Sequence, residues 1–287
     1  MVLQVNKLEM KYKSKRVLDN ITFSIGTGEI VGIVGPNGAG KSSLMRSVLG
    51  LEEINNGTVH INNISNSNPE FFKFISFLPS DNYLYMQLTG YDHLSFVANI
   101  YNIAQQEIDE VIKLIGISSY VHQPVKAYSY GMRQHLLIAL SILTRPLIIL
   151  MDEPFNGLDP TSIIELKQLI PVLNAKGISI VISTHNLDLL EDLTDTVWFI
   201  KEGKLYTDPL HSNKEVQYEI KYSHSDLPQV MKKSHLPFQI KDSLLITDAA
   251  FAIETYLQWL LKNGVQIHSV NPINRNLEEL YRDFYNL

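Results

Sequence analysis

The chain has 287 residues, with 24 Lys and Arg against 30 Asp and Glu, and a net charge of −6. This length can bury a substantial core in one large domain or two unequal domains, and the second arrangement is favoured. The absence of cysteine excludes disulfides and thiolate metal sites, and the negative charge argues against a broad nucleic-acid interface. The longest apolar runs, residues 136–143 and 147–151, fall far short of the ~20 residues that a membrane-spanning helix needs.

The N-terminal part of the chain predicts a strand, a glycine-rich loop and a helix. Residues 1–7 alternate in polarity, which predicts a β-strand and no secretory leader. Residues 30–34 form an apolar run typical of a buried strand, and residues 43–49 predict a helix. Between them, residues 35–42 read Gly-Pro-Asn-Gly-Ala-Gly-Lys-Ser and match every fixed position of the phosphate-binding loop pattern. The sequence therefore predicts a nucleoside triphosphate site.

This loop has a physical reason to bind phosphate. Its glycines allow backbone conformations that turn successive N–H groups inward, towards the positive end of the following helix. We expect Lys41 to contact the β- and γ-phosphates and Ser42 to contact Mg²⁺.

Residues 81–131 predict a mainly helical segment. Thr89 has the position of a helix cap, and residues 108–115 are apolar at helical spacing. The apolar residues just before this helix are predicted to pack in the core, and the other interpretation is an exposed apolar contact for a partner. These residues are Tyr83, Leu84, Tyr85 and Met86.

Two later apolar runs end in polar residues suited to catalysis. Residues 147–151 precede Asp152 and Glu153, and residues 178–182 precede His185. Carboxylates at the end of a parallel strand would lie beside the phosphate-binding loop. We expect Asp152 to hold Mg²⁺ through water, and Glu153 to orient or deprotonate the attacking water.

Together with two further segments, these motifs give residues 3–207 a family resemblance. The segments are Tyr-Ser-Tyr-Gly-Met-Arg-Gln at 128–134 and Ser-Thr-His at 183–185. The chain resembles the ATPase subunit of ATP-binding cassette transporters. This resemblance implies that two cassettes sandwich two ATP molecules. Each nucleotide then lies between the phosphate-binding loop of one subunit and the signature segment of the other.

The resemblance also implies individual roles. Ser129 and Gly131 would bind the γ-phosphate held by the opposite subunit, and His185 would contact the γ-phosphate in its own subunit. Tyr12 would stack on the adenine, and Asp159 would carry signals across the dimer.

Three positions depart from the family pattern. The usual signature has Gly where this chain has Tyr130 and Gln where it has Met132. The family places a metal-contacting Gln at Ser80, so either water bridges the gap or Asp81 substitutes for it. Because Lys41 and the catalytic carboxylates remain, we expect activity to be retained.

The segment after residue 207 has its own pattern. Residues 208–214 predict a linker, and residues 216–220, 243–247 and 265–270 alternate like strands. Asp248 is predicted to cap a helix with an apolar stripe at Phe251, Ile253, Leu257, Leu260 and Leu261. This part resembles the C-terminal extension of cassettes that serve drug, peptide or polysaccharide exporters, with residues 276–280 placed like its closing acidic helix. We expect it to support the dimer or regulate it.

The predicted fold is α/β: a P-loop NTPase cassette with antiparallel edge strands and a helical subdomain, followed by a small α+β domain. The boundaries are 1–207 for the cassette, about 81–140 for its helical subdomain and 208–287 for the second domain. The predicted catalytic residues are Lys41, Glu153 and His185, and the predicted Mg²⁺ ligands are Ser42 and Asp152, with Ser80 as a further candidate. The predicted ATP-binding residues are Tyr12, Gly35, Pro36, Asn37, Gly38, Ala39, Gly40, Lys41, Ser42, Ser43, Ser129 and Gly131.

The predicted partners are transmembrane permease subunits and a second cassette, identical or paralogous, with no nucleic acid. The expected location is the cytoplasm, peripheral on the inner face of the cell membrane through the permease. The favoured function is ATP-driven export of drugs, peptides or similar substrates. Two alternatives are a soluble ATP-driven switch acting on ribosomes or DNA, and a weakly hydrolysing regulatory cassette.

Overall fold

A computed structural model describes residues 1–13, 15–79, 83–194, 196–207, 217–224, 226–241, 243–248, 251–273 and 277–287. The chain divides into two units, Met1–Asp208 and Pro209–Leu287. The predicted linker at 208–214 lies outside the described residues.

The first unit contains ten strands and six α-helices among the described residues. In chain order they are β1 (Leu3–Tyr12), β2 (Lys15–Ile25), β3 (Ile30–Val34), α1 (Lys41–Val48), β4 (Asn56–Ile61), β5 (Ile64–Ser65), β6 (Ile75–Leu78), α2 (Gly90–Tyr101), α3 (Gln105–Ile115), α4 (Tyr130–Leu143), β7 (Ile148–Asp152), α5 (Pro160–Ala175), β8 (Ser179–Thr184), α6 (Leu187–Glu191), β9 (Val197–Lys201) and β10 (Lys204–Tyr206). Short 3-10 helices lie at Pro69–Lys73 and Val125–Ala127.

A six-stranded sheet positions the functional motifs, in the order β10-β9-β3-β8-β7-β6. The pairs β3–β8, β7–β8, β6–β7 and β3–β9 are parallel, and β9–β10 is antiparallel. Every residue of β7 and of β8 is buried, which explains the apolar runs at 148–151 and 180–182 within these strands. The predicted strand at 30–34 is confirmed as β3, and the predicted run at 147–151 is shifted by one residue to include Asp152.

The antiparallel strands form a second sheet with the order β2-β1-β4-β5. Its inward residues share one apolar core with α1 and the six-stranded sheet, so the two sheets and the helix form a single packed body. The core includes Leu3, Leu8, Ile21, Leu44, Val59, Phe71, Ile148 and Trp198. Together with the parallel sheet, these strands confirm the predicted α/β fold with antiparallel edge strands.

Helices α2, α3 and α4 pack against one another. The predicted cap at Thr89 is confirmed: its side chain accepts a hydrogen bond from the Asp92 N–H, and the Asp92 carboxylate accepts one from the Thr89 N–H. α3 ends at Gly116, whose φ of 77° suits the left-handed conformation that terminates a helix.

The prediction that the residues before α2 pack in the core is wrong for most of them. Leu84 is buried, but Tyr83 and Tyr85 are 69% and 71% exposed, and Met86 is also exposed. Residues 83–87 belong to no helix or strand, so the chain presents these side chains outward instead of onto a core face.

The second unit is an antiparallel sheet with helices. Its described elements are β11 (Gln217–Ser223), α7 (Leu227–Lys232), β12 (Phe238–Lys241), β13 (Leu244–Thr247), α8 (Ile253–Lys262), β14 (Gln266–Ile273) and α9 (Leu277–Tyr285). The sheet order is β12-β13-β11-β14. Its own core contains Ile220, Leu227, Met231, Leu245, Tyr256, Leu260 and Val265. The sequence predicted three of these strands and missed β12 and the short helix α7.

The predicted cap of α8 is wrong. The helix begins at Ile253 with Ala252 at the cap position, and Asp248 instead follows β13, where its N–H donates to the Tyr256 hydroxyl. The apolar stripe is correspondingly narrower than predicted, because Phe251 and Leu261 are exposed. The acidic helix predicted at 276–280 is α9, and residue 276 lies outside the described residues.

None of the helices in the described part of the chain has the length and apolar character that crossing a membrane requires.

Two adjacent leucines in α8 test whether the second unit has a core of its own. Leu260 is fully buried, whereas Leu261 is 63% exposed. We expect Leu260→Ala to destabilise this unit by about 2–5 kcal/mol through the cavity it leaves. Leu261→Ala is the matched control and should stay within about 0.5 kcal/mol. Hydrogen exchange of Leu260→Ala, followed by peptide mass spectrometry, should be faster than in wild type only in peptides from residues 217–287. Equal acceleration in peptides of both units would contradict two separate cores.

Candidate functional site

The glycine-rich loop connects the end of β3 to α1. Gly38 and Gly40 have φ values of 79° and 109°, and the Ala39 N–H donates to the Pro36 carbonyl at 3.1 Å. α1 begins at Lys41 with no acidic side chain in its first turn. Its free N–H groups therefore form an anion-binding end. The predicted loop residues Gly35, Pro36, Asn37, Gly38, Ala39, Gly40, Lys41, Ser42 and Ser43 lie along this loop and the first turn of α1.

Lys41 is a buried cation at the centre of the site. Its side chain is 6% exposed, and Nζ donates to the Gly35 carbonyl at 2.8 Å. Nζ also lies 3.4 Å from Glu153 Oε1. A buried ammonium is stabilised only when it is paired and hydrogen-bonded, and both partners here come from strand ends of the same sheet.

Glu153 links the predicted catalytic residues. Its Oε2 lies 2.9 Å from His185 Nδ1, while Oε1 faces Lys41. Its backbone has a φ of 51°, a left-handed conformation that is unusual for a residue with a side chain. The Glu153 N–H donates to Ser183 Oγ at 3.0 Å, which helps to hold this strained conformation. The structure thus brings Lys41, Glu153 and His185 together.

Asp152 has the features of a cation ligand. Its side chain is buried, and Oδ1 accepts a hydrogen bond from Ser183 Oγ at 2.7 Å. Oδ2 is buried and accepts no hydrogen bond from any residue that the structure describes. An orphaned carboxylate oxygen beside a phosphate-binding loop suits Mg²⁺, which prefers oxygen ligands and retains several waters.

Ser183 contacts the candidate site, although the sequence analysis names it only as part of the Ser-Thr-His segment at 183–185. It contacts both carboxylate residues because β7 and β8 pair in a register that places Asp152 opposite Ser183. In the sequence, Ser183 is only a serine at the end of an apolar run. Its position opposite Asp152 depends on the register of β7 with β8, which the sequence does not show.

Tyr12 lies beside α1. Its ring is half exposed, and the pKa of its hydroxyl is raised, chiefly by hydrogen bonding to the Glu52 carboxylate. Two residues of α1 lower the pKa of the same hydroxyl: Ser43 through a hydrogen bond and Arg46 through its positive charge. The side chain is therefore near the helix that follows the glycine-rich loop, with a ring accessible for stacking.

The signature segment forms the first turn of α4. Ser129 caps the helix, since its hydroxyl accepts from the Met132 N–H at 3.2 Å, and the Ser129 N–H donates to Met132 Sδ at 3.4 Å. Met132 therefore completes the capping box through sulfur. Among the described residues, no hydrogen bond or ion pair joins Ser129 to Lys41, Glu153 or His185. Ser80 and Asp81, the two candidates for the missing glutamine, lie outside the described residues.

Asp159 caps α5, the helix that follows β7 and Glu153 along the chain. Its carboxylate accepts hydrogen bonds from the Thr161 and Ser162 N–H groups at 3.0 and 3.1 Å, and from Ser162 Oγ at 2.8 Å. The Ser162 hydroxyl is the main reason that the pKa of Asp159 lies below its usual value.

Comparison with known proteins gives a consistent picture. The family model described as ABC transporter matches residues 18–156. YdbJ, an ABC transporter ATP-binding protein of Bacillus subtilis (strain 168), is 33% identical over 98% of this chain and 86% of its own length. The bacitracin transport ATP-binding protein BcrA of Bacillus licheniformis is 30% identical over 98% of this chain and 96% of its own.

A solved structure with the same fold is that of an ATP-binding subunit of an ABC transporter. It superposes with a TM-score of 0.67 at 29% identity, covering 72% of this chain and 90% of that one.

The role of Ser183 can be tested against another serine of the same strand. Ser179 is equally buried, and its hydroxyl bonds Gly26 and Gly28 at the opposite end of β8. We expect Ser183→Ala to raise the Mg²⁺ concentration for half-maximal nucleotide binding by about 10- to 100-fold, because Asp152 loses its orienting donor. Ser179→Ala should cost about 1–3 kcal/mol of stability without this change. Titration with a fluorescent ATP analogue measures the Mg²⁺ dependence of both variants, and urea denaturation measures their stability. Equal Mg²⁺ dependence in the two variants would refute the role.

Proposed function

The chain belongs to the ABC transporter family, and from this membership and the site geometry we propose that it is the ATP-hydrolysing subunit of an exporter of drugs, peptides or similar substrates. The observation that carries the proposal is the contact of Glu153 with both Lys41 and His185. Through this carboxylate, Lys41 of the loop proposed to bind phosphate is connected to Glu153 and His185, the residues proposed to act in hydrolysis.

ATP binding would replace the contacts that Lys41 makes in the free protein. Its ammonium would leave Glu153 and the Gly35 carbonyl for the β- and γ-phosphates, and the N–H groups at the start of α1 would surround the phosphate oxygens. Ser42 and Asp152 would hold Mg²⁺, with Asp152 acting through water. This ion would neutralise charge on the phosphates. The ring of Tyr12 would stack on adenine.

Hydrolysis would use Glu153 once Lys41 has moved to the phosphates. The carboxylate would accept a proton from water as the water oxygen bonds to the γ-phosphorus, and the bond to the β-phosphate oxygen would break to give ADP and phosphate. His185 would contact the γ-phosphate and neutralise developing charge there. The 2.9 Å distance between His185 Nδ1 and Glu153 Oε2 supports this proposal, because the two groups lie within hydrogen-bonding distance of each other.

We propose that the complete site needs a second cassette, identical or paralogous. The N-terminus of α4, with Ser129 and Gly131, would bind the γ-phosphate held by the partner. Ser129 is exposed, which supports access from outside the chain. Closing two subunits around ATP and reopening them after hydrolysis would drive the transport cycle.

The transmembrane partner would bind near the start of α2. Tyr83, Tyr85 and Met86 present apolar surface there without packing into the core. Exposed apolar side chains of this kind suit a partner helix.

The protein would then lie on the inner face of the cell membrane through its permease. The second unit would support or regulate the dimer. The similarity to BcrA, which is named for bacitracin transport, supports drugs or peptides as the substrate class.

Glu153→Gln tests the catalytic step. We expect turnover to fall by at least about 100-fold, because the amide cannot accept the proton, while ATP binding is preserved. The variant should accumulate a nucleotide-bound dimer on size-exclusion chromatography. Glu165→Gln is the matched control, because Glu165 also lies close to a histidine. Its Oε2 is 3.6 Å from His135 Nε2, and the two residues belong to α5 and α4, not to the glycine-rich loop. A Glu153→Gln protein that hydrolyses ATP at the wild-type rate would overturn the assignment.

Lys41→Met tests the binding step. It keeps the length of the side chain but removes the charge that would neutralise the phosphates, so we expect the Kd for ATP to rise by at least about 100-fold. Lys113→Met, on the exposed face of α3, should leave the Kd unchanged. Isothermal titration calorimetry measures both, and wild-type affinity in Lys41→Met would remove the loop from the mechanism.

A further inference from the structure

We propose that a cavity between α3, α4 and α5 binds a small amphipathic organic amine in its protonated form. The cavity has a volume of about 500 Å³, which lies within the range of sites that hold small organic ligands. Its lining comes from the end of α3, from Tyr120, from the start of α4 and from the part of α5 between Ser162 and Val172. Binding in this cavity does not depend on the proposed function, and only its coupling to ATP rests on that function.

All three helices contribute apolar side chains to the cavity. These residues are Leu114 and Ile115 of α3, Met132 of α4, and Leu169 and Val172 of α5. Val172 is 45% exposed, so part of this apolar surface is in contact with water. Covering it with the hydrocarbon part of a ligand would be favourable, because apolar area would leave water.

A tyrosine, a histidine and a glutamate converge on the same cavity. The Tyr120 hydroxyl lies 3.4 Å from His135 Nδ1, and His135 Nε2 lies 3.6 Å from Glu165 Oε2. Burial raises the pKa of the Tyr120 hydroxyl, so the phenol keeps its proton and can donate a hydrogen bond to Nδ1. The proton of the neutral imidazole then belongs on Nε2, which faces the carboxylate.

Glu165 carries a negative charge that the cavity does not neutralise. Its side chain is 52% exposed, and its one ion-pair contact among the described residues is with His135. Burial lowers the pKa of His135 more than the Glu165 charge raises it, so the imidazole is uncharged at neutral pH. None of the described residues that line the cavity is Lys or Arg. An apolar surface beside a carboxylate without a cationic partner is complementary to an organic ammonium ion.

The cavity also includes part of the signature segment. Ser129 and Gly131 belong to its lining, and the same two residues would bind the γ-phosphate held by the partner cassette. An amine in the cavity and the nucleotide of the closed dimer would therefore share contacts on one helix turn. We expect the two to bind in competition, so that ATP-driven closure weakens amine binding.

Two probes with the same hydrocarbon chain test whether the cavity selects a cation. Octylamine is charged at neutral pH, whereas octanol is not. We expect octylamine to bind the wild-type chain at least about 10-fold more tightly than octanol, because only the ammonium group forms a charge-assisted hydrogen bond with Glu165. Isothermal titration calorimetry measures both Kd values. Equal Kd values, or no binding of octylamine up to about 10 mM, would overturn the proposal.

Glu165→Gln tests which carboxylate binds the amine, because it removes the charge and keeps the shape of the side chain. We expect the Kd for octylamine to rise about 10-fold and the Kd for octanol to stay within about 2-fold of wild type. Glu110→Gln is the matched control, since Glu110 is an exposed residue of α3 outside the cavity lining, and it should leave both values unchanged. An unchanged octylamine Kd in Glu165→Gln would place the amine elsewhere and refute the site.

The coupling to ATP is tested in the Glu153→Gln protein, with and without ATP. We expect the nucleotide-bound dimer to bind octylamine at least about 3-fold more weakly than the nucleotide-free protein. An equal Kd in the two states would overturn the competition. If no dimer forms with ATP, the proposed function fails, while the comparison of octylamine with octanol in the nucleotide-free chain still decides the cavity.

Discussion

The parallel register of β7 with β8 is the constraint on which the site depends. It pairs Asp152 with Ser183, so that both strands end at the same edge of the sheet. The same edge receives β3, whose last residue Val34 pairs with Thr184. The glycine-rich loop, the two carboxylates and His185 therefore meet without any long connection reaching across the molecule. A shift of one residue in this register would turn Asp152 to the opposite face of the sheet.

Two features of the candidate site lower the folding stability of the protein. The left-handed backbone of Glu153 costs about 1–3 kcal/mol, and Asp152 Oδ2, which has no hydrogen-bond partner among the described residues, costs a similar amount. Such costs are large against the typical 5–15 kcal/mol that stabilises a protein. Fully buried β7 and β8 and the core beneath α1 offset them. The strained residue Glu153 and, in the part of the chain that the structure describes, the unsatisfied oxygen of Asp152 thus lie next to each other at the end of β7.

The signature helix illustrates how a departure from a common pattern can be accommodated. In the sequence, Tyr130 stands where the usual signature has Gly, and Met132 stands where it has Gln. In the fold, the sulfur of Met132 accepts a hydrogen bond from the Ser129 N–H, and the Arg133 guanidinium carbon lies 5.9 Å from the centroid of the Tyr130 ring. Both side chains therefore interact with residues of the same signature segment.

Local patterns in the sequence by themselves determined the strand at 30–34, the cap at Thr89, the phosphate-binding loop and the polar residues at the strand ends, because each depends on neighbours only a few residues away. Only the tertiary structure decided that Ser183 anchors Asp152, that Glu153 joins Lys41 to His185, and that Tyr83 and Tyr85 face outward. The same holds for α8, where the tyrosine hydroxyl of residue 256 bonds Asp248 and the helix starts later. These contacts join residues brought together by strand register and packing, and no local periodicity encodes which partner a side chain will meet.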